Sequence, residues 1–163
     1  MIRTEISFFL KNAPGELGRL TGFLGKASIN IDAMTIQDAS AYVQNLFEAR
    51  GKSLKRIASY ASYNSVRKDS AKFALIRIIV DKPDDAVKLL KANDYIFDTQ
   101  EVIAIHLENT PGKLSEIAKK IGEKGININY VYGSVASGDK AKCLFVFCPD
   151  DVASASKSFD ILD

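Results

Sequence analysis

Two matched sets of residues carry the chemistry this chain can offer. Asn12 opens Asn12-Ala13-Pro14-Gly15-Glu16-Leu17, and Asn109 opens Asn109-Thr110-Pro111-Gly112-Lys113-Leu114, 97 residues later. Each set has a second asparagine, in Ile29-Asn30-Ile31 and Ile126-Asn127-Ile128. Such residues recognise and do not make bonds. A carboxamide donates and accepts hydrogen bonds without a charge that would be costly to desolvate, and it is a poor acid and a poor base. A helix that begins after Pro-Gly leaves backbone N–H groups unpaired at the positive end of its dipole, which suits an anion. The bland alternative is that these are turn residues, with Asn12 and Asn109 capping a helix.

The elements that must position them come in the same duplicate. At an offset of 97 there are 12 identities over residues 6 to 40, where ordinary residue usage gives roughly 2. This is an internal repeat, and repeats decide the fold. Residues 2 to 10 read as a strand, with Val102 to Leu107 as its copy. Pro-Gly then allows a sharp turn into a helix. Leu17, Leu20 and Leu24 make one apolar stripe on it, as Leu114, Ile117 and Ile121 do in the copy, so each helix packs on a sheet. Ile29 and Ile31 alternate with Asn30 and Asp32 as a second strand.

Further on, Pro83-Asp84-Asp85 matches Pro149-Asp150-Asp151 at an offset of 66, and the difference between the offsets sizes an insertion of 31 residues in the first half. Third strands follow at Phe73 to Val80 and Cys143 to Cys148. Second helices run from Asp84 to Ala92 and from Asp150 to Lys157, with the paired aspartates as caps. Tyr95 to Asp98 makes a short fourth strand, whereas the last strand of the second half is short or missing. The expected fold class is α+β, two ferredoxin-like βαββαβ domains with antiparallel sheets and helices on one face. The first domain takes residues 1–100 with a helical insertion at about 41–72, and the second takes 101–163. Between Glu48 and Lys72 the insertion carries seven basic and two acidic residues, which read as a solvated face or an oligomer contact.

Strand, Asn-x-Pro-Gly-x-Leu, helix and Ile-Asn-Ile, twice in one chain, closely resemble the ACT domain, a small regulatory module that binds amino acids. The resemblance covers nearly all of the chain except the insertion, and it is similar to tandem-ACT proteins with no attached enzyme. It implies side-by-side pairing of domains into one sheet, with a ligand at the seam. The candidate ligand-binding residues that follow are Asn12, Gly15, Glu16, Leu17 and Asn30 in the first half. Asn109, Gly112, Lys113, Leu114 and Asn127 are their counterparts. The helix start would take the ligand carboxylate, and Asp32 could pair with its ammonium. Some members carry a polar side chain two residues before the first asparagine; here Leu10 and Leu107 stand there and tilt the choice toward an aliphatic or aromatic amino acid. The two sites should be unequal, because Glu16 would repel a carboxylate where Lys113 would attract it.

The implied function is that of a non-catalytic, allosteric regulatory protein, a homodimer through ACT–ACT pairing, with a metabolic enzyme as a further partner. The alternative is a free-standing regulatory subunit or interaction protein that acts on such an enzyme without a ligand of its own. No catalytic set, phosphate loop or cofactor motif is present, so no cofactor is expected. One histidine and two cysteines without a CxxC make no zinc set, and the cysteines read as free thiols in a reducing cytoplasm. His106 on its apolar strand reads as structural, and Tyr130 and Tyr132 as packing or dimer contact. A net charge of +2 gives no case for nucleic acid, and the third strands lack the glycines of an RNA-recognition motif. No apolar run is long enough to span a membrane.

Overall fold

The computed structural model describes residues 1–39, 71–134 and 142–159. The expected insertion, with its basic cluster apart from Lys72, lies outside the described residues. In chain order the elements are β1 (Ile2–Lys11), α1 (Glu16–Lys26), β2 (Ile31–Asp38), β3 (Phe73–Val80), α2 (Pro83–Ala92), β4 (Phe97–Glu108), α3 (Lys113–Glu123), β5 (Ile128–Gly133), β6 (Lys142–Pro149) and α4 (Val152–Phe159). This is the α+β, ferredoxin-like arrangement that the repeat leads one to expect.

The chain divides into two compact units, Ile6–Asp98 and Met1–Glu5 with Thr99–Asp163. In the first, the strand order is β2-β3-β1, and β2 runs antiparallel to β3 from Ile31 opposite Val80 to Asp38 opposite Ala74. Alternation puts Ile6, Phe8 and Leu10 of β1, with Ile76, Ile78 and Val80 of β3, on one face. There they meet Leu20 and Leu24 of α1 and Ala86 and Leu90 of α2. In the second unit β6 lies antiparallel between β4 and β5. Its core joins Ile103 and Leu107 of β4 with Ile117 and Ile121 of α3, Phe147 of β6 and Ala155 of α4. The Ala104 N–H donates to the Met1 carbonyl at 2.9 Å, so the start of the chain lies beside β4.

Four sequence readings need correction. β2 begins at Ile31; Ile29 is buried ahead of it, because the N–H and C=O of Asn30 bond Asp81 before the ladder starts. Tyr95 to Asp98 is not a separate short strand; Phe97 runs unbroken into Glu108. The late repeat offset is not 66. Ile31 faces Val80 as Ile128 faces Pro149, and the core helix residues Ala86 and Ala155 occupy the same place. The equivalence is thus 69 residues, and the Pro-Asp-Asp match pairs a helix start with a strand end. The aspartates consequently differ in role. No side chain caps α2, whose first turn holds Asp84 and Asp85, whereas Asp151 Oδ1 accepts the Ser154 N–H at 2.9 Å ahead of α4.

The Pro-Gly glycines are required by the backbone. Gly15 (φ 88°) and Gly112 (φ 90°) precede α1 and α3 in the left-handed region. A β-carbon added at either would meet nothing within 4 Å, so the constraint is torsional, not steric. Gly15→Ala and Gly112→Ala should each lower stability by about 1–2 kcal/mol, the cost of left-handed backbone for an L-residue. Chemical denaturation with an unchanged m-value is the check.

Candidate functional site

Both turns close alike. The Ala13 N–H bonds the Lys11 carbonyl at 2.9 Å, and Thr110 bonds Glu108 at the same distance. Each helix starts on its glycine, with no side-chain cap. Asn12 and Asn109 are therefore not helix caps. Instead the Asn12 N–H donates to the Lys72 carbonyl at 2.7 Å, its Nδ2 donates to the Ala71 carbonyl at 3.3 Å, and both asparagines are exposed. Glu16, Leu17 and Lys113 are half-buried, and Leu114 is exposed.

The second asparagines sit in a repeated bracket. The Asn30 N–H donates to Asp81 Oδ1 at 2.8 Å and the Asp81 N–H returns to the Asn30 carbonyl at 3.1 Å. Asn127 and Asp150 do the same at 3.1 and 3.0 Å. The carboxamides lean along the strand: Asn30 Nδ2 donates to Asp32 Oδ1 at 2.9 Å, and Asn127 Nδ2 to Asn129 Oδ1 at 3.2 Å. Asn30 thus lies at the Val80 end of β3 and Asn12 at the Phe73 end. Eight residues of β3, at roughly 3.3 Å each, separate them by about 26 Å. Asn109 and Asn127 stand likewise at the two ends of β6. Neither unit brings its own two asparagines together.

The charges at the helix starts are inverted between the copies. Arg19 Nη2 lies 2.9 Å from Glu16 Oε2. At the equivalent positions Lys113 Nζ lies 3.2 Å from Glu116 Oε2, and Lys120 Nζ reaches Glu116 Oε1 at 3.0 Å. Glu16 is thus offset by one cation, while two lysines share Glu116. Hydrogen bonds from Lys120 and then Lys113 hold the Glu116 carboxyl below its ordinary 4.5.

Sequence reasoning missed a fourth group. Glu5, the one buried charged or polar residue among the described residues, is 0% exposed. Its carboxylate accepts from Gln100 Nε2 at 2.9 Å, from Tyr132 Oη at 2.8 Å and from Tyr130 Oη. Gln100 also reaches the Tyr130 hydroxyl. The tyrosine rings stack with centroids 6.4 Å apart. Burial, then the hydrogen bonds to Glu5 and Cys148, push the Tyr130 hydroxyl well above the usual phenol range. All of these residues belong to the second unit. The signal was available in the repeat: Glu5 aligns with Val102, Gln100 with Arg3, Tyr130 with Ala33 and Tyr132 with Thr35. A carboxylate on an apolar strand, facing two tyrosines absent from the other copy, marks a group built once.

Comparison with known proteins agrees with the fold. A family model described as an ACT domain pair matches residues 34–161. The chain belongs to the ACT domain pair family. Its fold is that of protein BT0572 from Bacteroides thetaiotaomicron, with a TM-score of 0.71 and 24% identity over 99% of this chain and 88% of that one. It is also similar to the regulatory subunit of aspartate kinase from Thermus thermophilus in its ligand-free form (TM-score 0.56, 10% identity, 99% and 94% coverage). The Thermus flavus regulatory subunit of aspartate kinase gives 0.54 and 10% over the same shares. A search of curated sequences returned no match. Among the described residues of this ACT pair no helix is long and apolar enough to cross a membrane, and no His, Cys, Asp or Glu group could hold a metal.

The inverted ion pairs set up a measurable contrast. Glu116 should titrate below 4.5 by carboxyl NMR, and Lys113→Ala with Lys120→Ala should return it toward that value. Because its folded value is depressed, its contribution to stability is present above 4.5 and is lost as pH falls through the lower folded midpoint. The group is exposed, so roughly 1 M salt should erase most of the shift.

Proposed function

We propose that this chain is a non-catalytic regulatory protein that binds an amino acid at a seam between paired ACT domains, residues 1–100 and 101–163 being the two domains. One observation carries this reading: the two asparagines of each unit stand at opposite ends of a strand. Antiparallel, side-by-side pairing of two units brings the turn of one to the Asn30-type group of the other, so a complete site forms only at a seam. The turn then offers helix N–H groups to the carboxylate, and the Asn30 or Asn127 end offers carbonyl oxygen to the ammonium.

The edges suit such pairing. Among the described residues β2 pairs only with β3, and β5 only with β6. Edge strands leave backbone donors and acceptors open to another strand. Each edge also exposes apolar side chains, Met34 (37%) and Ile36 (47%) on β2 and Val131 (41%) on β5. Met34 and Val131 are repeat equivalents, 97 residues apart, so one edge is matched to another of its own kind. The partner we infer is a second copy of the chain, giving a cytoplasmic homodimer.

A thermal-shift screen of the purified protein against the twenty amino acids is the decisive experiment, since a ligand of the folded state raises Tm. We expect one aliphatic or aromatic amino acid to do so. Asn12→Ala and Asn109→Ala should each weaken its binding by about 10-fold or more, as the loss of a hydrogen bond to a charged group would. The loss should be larger for Asn109, where two lysines share one carboxylate. Absence of a shift at millimolar concentration would overturn the ligand reading, and equal losses would overturn the inequality.

The seam gives a separate prediction. Met34→Asp and Val131→Asp place a charge on an apolar edge and should convert a dimer to a monomer in light scattering, with loss of the ligand response. A dimer that survives both substitutions would place the contact elsewhere.

A further inference from the structure

The cage around Glu5 has no part in the proposed ligand chemistry, yet it holds one of the two strands, β1 and β4, that run from one unit into the other. β1 is a single strand, but Met1–Glu5 belong to the second unit and Ile6–Lys11 to the first. Glu5 is the last residue on the second unit's side. Seven residues further along, just past the end of the strand at Lys11, comes Asn12.

Tyr130 and Tyr132 alternate on one face of β5. Their hydroxyls take different oxygens of the carboxylate, Tyr130 on Oε1 and Tyr132 on Oε2. Gln100 of β4 holds Oε1 as well. A planar group gripped at both oxygens by successive positions of one strand follows any slide or twist of that strand. The other end of β5 opens on Asn127, tied to Asp150 and Asn129. A path of hydrogen bonds and backbone therefore runs from Asn127 along β5, through the tyrosine hydroxyls to Glu5, and along β1 to the turn at Asn12.

We propose that Glu5, clamped by Tyr130 and Tyr132, is a coupling latch: it ties the position of β5 to β1, so that the state of the Asn127 end sets how firmly the Asn12 turn is held. The ligand side of this idea rests on the reading of both asparagines as binding groups; the mechanical side does not. Glu5 is a positioning residue here, acting through β1. By linkage, whatever a ligand at Asn127 does for binding at Asn12, a ligand at Asn12 does for Asn127.

Amide hydrogen exchange of the ligand-free full chain tests the latch without any amino acid. Tyr130→Phe and Tyr132→Phe each remove one hydroxyl and leave the ring, and Glu5→Gln keeps the shape and removes the charge. The latch predicts at least threefold faster exchange at Ile6–Leu10 and at the Asn12–Leu17 turn in the two tyrosine variants, while β3 and α2 keep their rates. Faster exchange confined to β5 and Met1–Glu5 would overturn it. So would a uniform increase over the whole chain, the mark of a merely structural group. Should Glu5→Gln fail to fold, the tyrosine variants alone decide. Where an amino acid binds, Tyr132→Phe should also abolish the dependence of Asn12-site affinity on Asn127→Ala. A protein that binds no amino acid but shows the exchange pattern would keep the latch and lose the ligand reading.

Discussion

Strand length is the constraint on which the rest of this structure depends. Eight residues of β3 stand between Asn12 and Asn30, and eight residues of β6 between Asn109 and Asn127. Hydrogen-bonded strands do not shorten, so no side-chain rotation closes a gap of about 26 Å. On the proposed reading, the polar groups of one unit are halves of sites, and a ligand that touches both kinds of asparagine is shared between units. Occupancy and assembly then shift each other by the same free energy.

The duplication is close in backbone and loose in charge. Left-handed glycines, aspartate brackets and apolar stripes recur in both copies, because each solves a backbone or burial problem that the fold poses twice. Charged groups were free to diverge. Glu16–Arg19 in one copy became Lys113–Glu116–Lys120 in the other, on exposed helix starts where such pairs cost and contribute little to stability. Divergence inside the protein is more telling. A carboxylate buried at Glu5 is tolerated only because several donors meet it. Its ring of tyrosines and glutamine lies in one unit, and the other copy carries Ala33 and Thr35 in place of the tyrosines.

The sequence by itself determined the repeat, the element order, the Pro-Gly turns and the apolar faces of the helices. These are local: periodicity and turn chemistry are written in neighbouring residues. It misjudged what depends on pairing partners. The late repeat offset was drawn to a Pro-Asp-Asp coincidence, because which aspartate faces Asn30 is settled by strand register and not by residue spacing. Glu5 passed as an unremarked member of β1, since its donors lie 95, 125 and 127 residues away. Nor could spacing tell that Asn12 and Asn30 stand at opposite ends of one strand. Only the tertiary structure decided these points, because hydrogen bonds between distant strands set which side chains meet, and the chain's order does not.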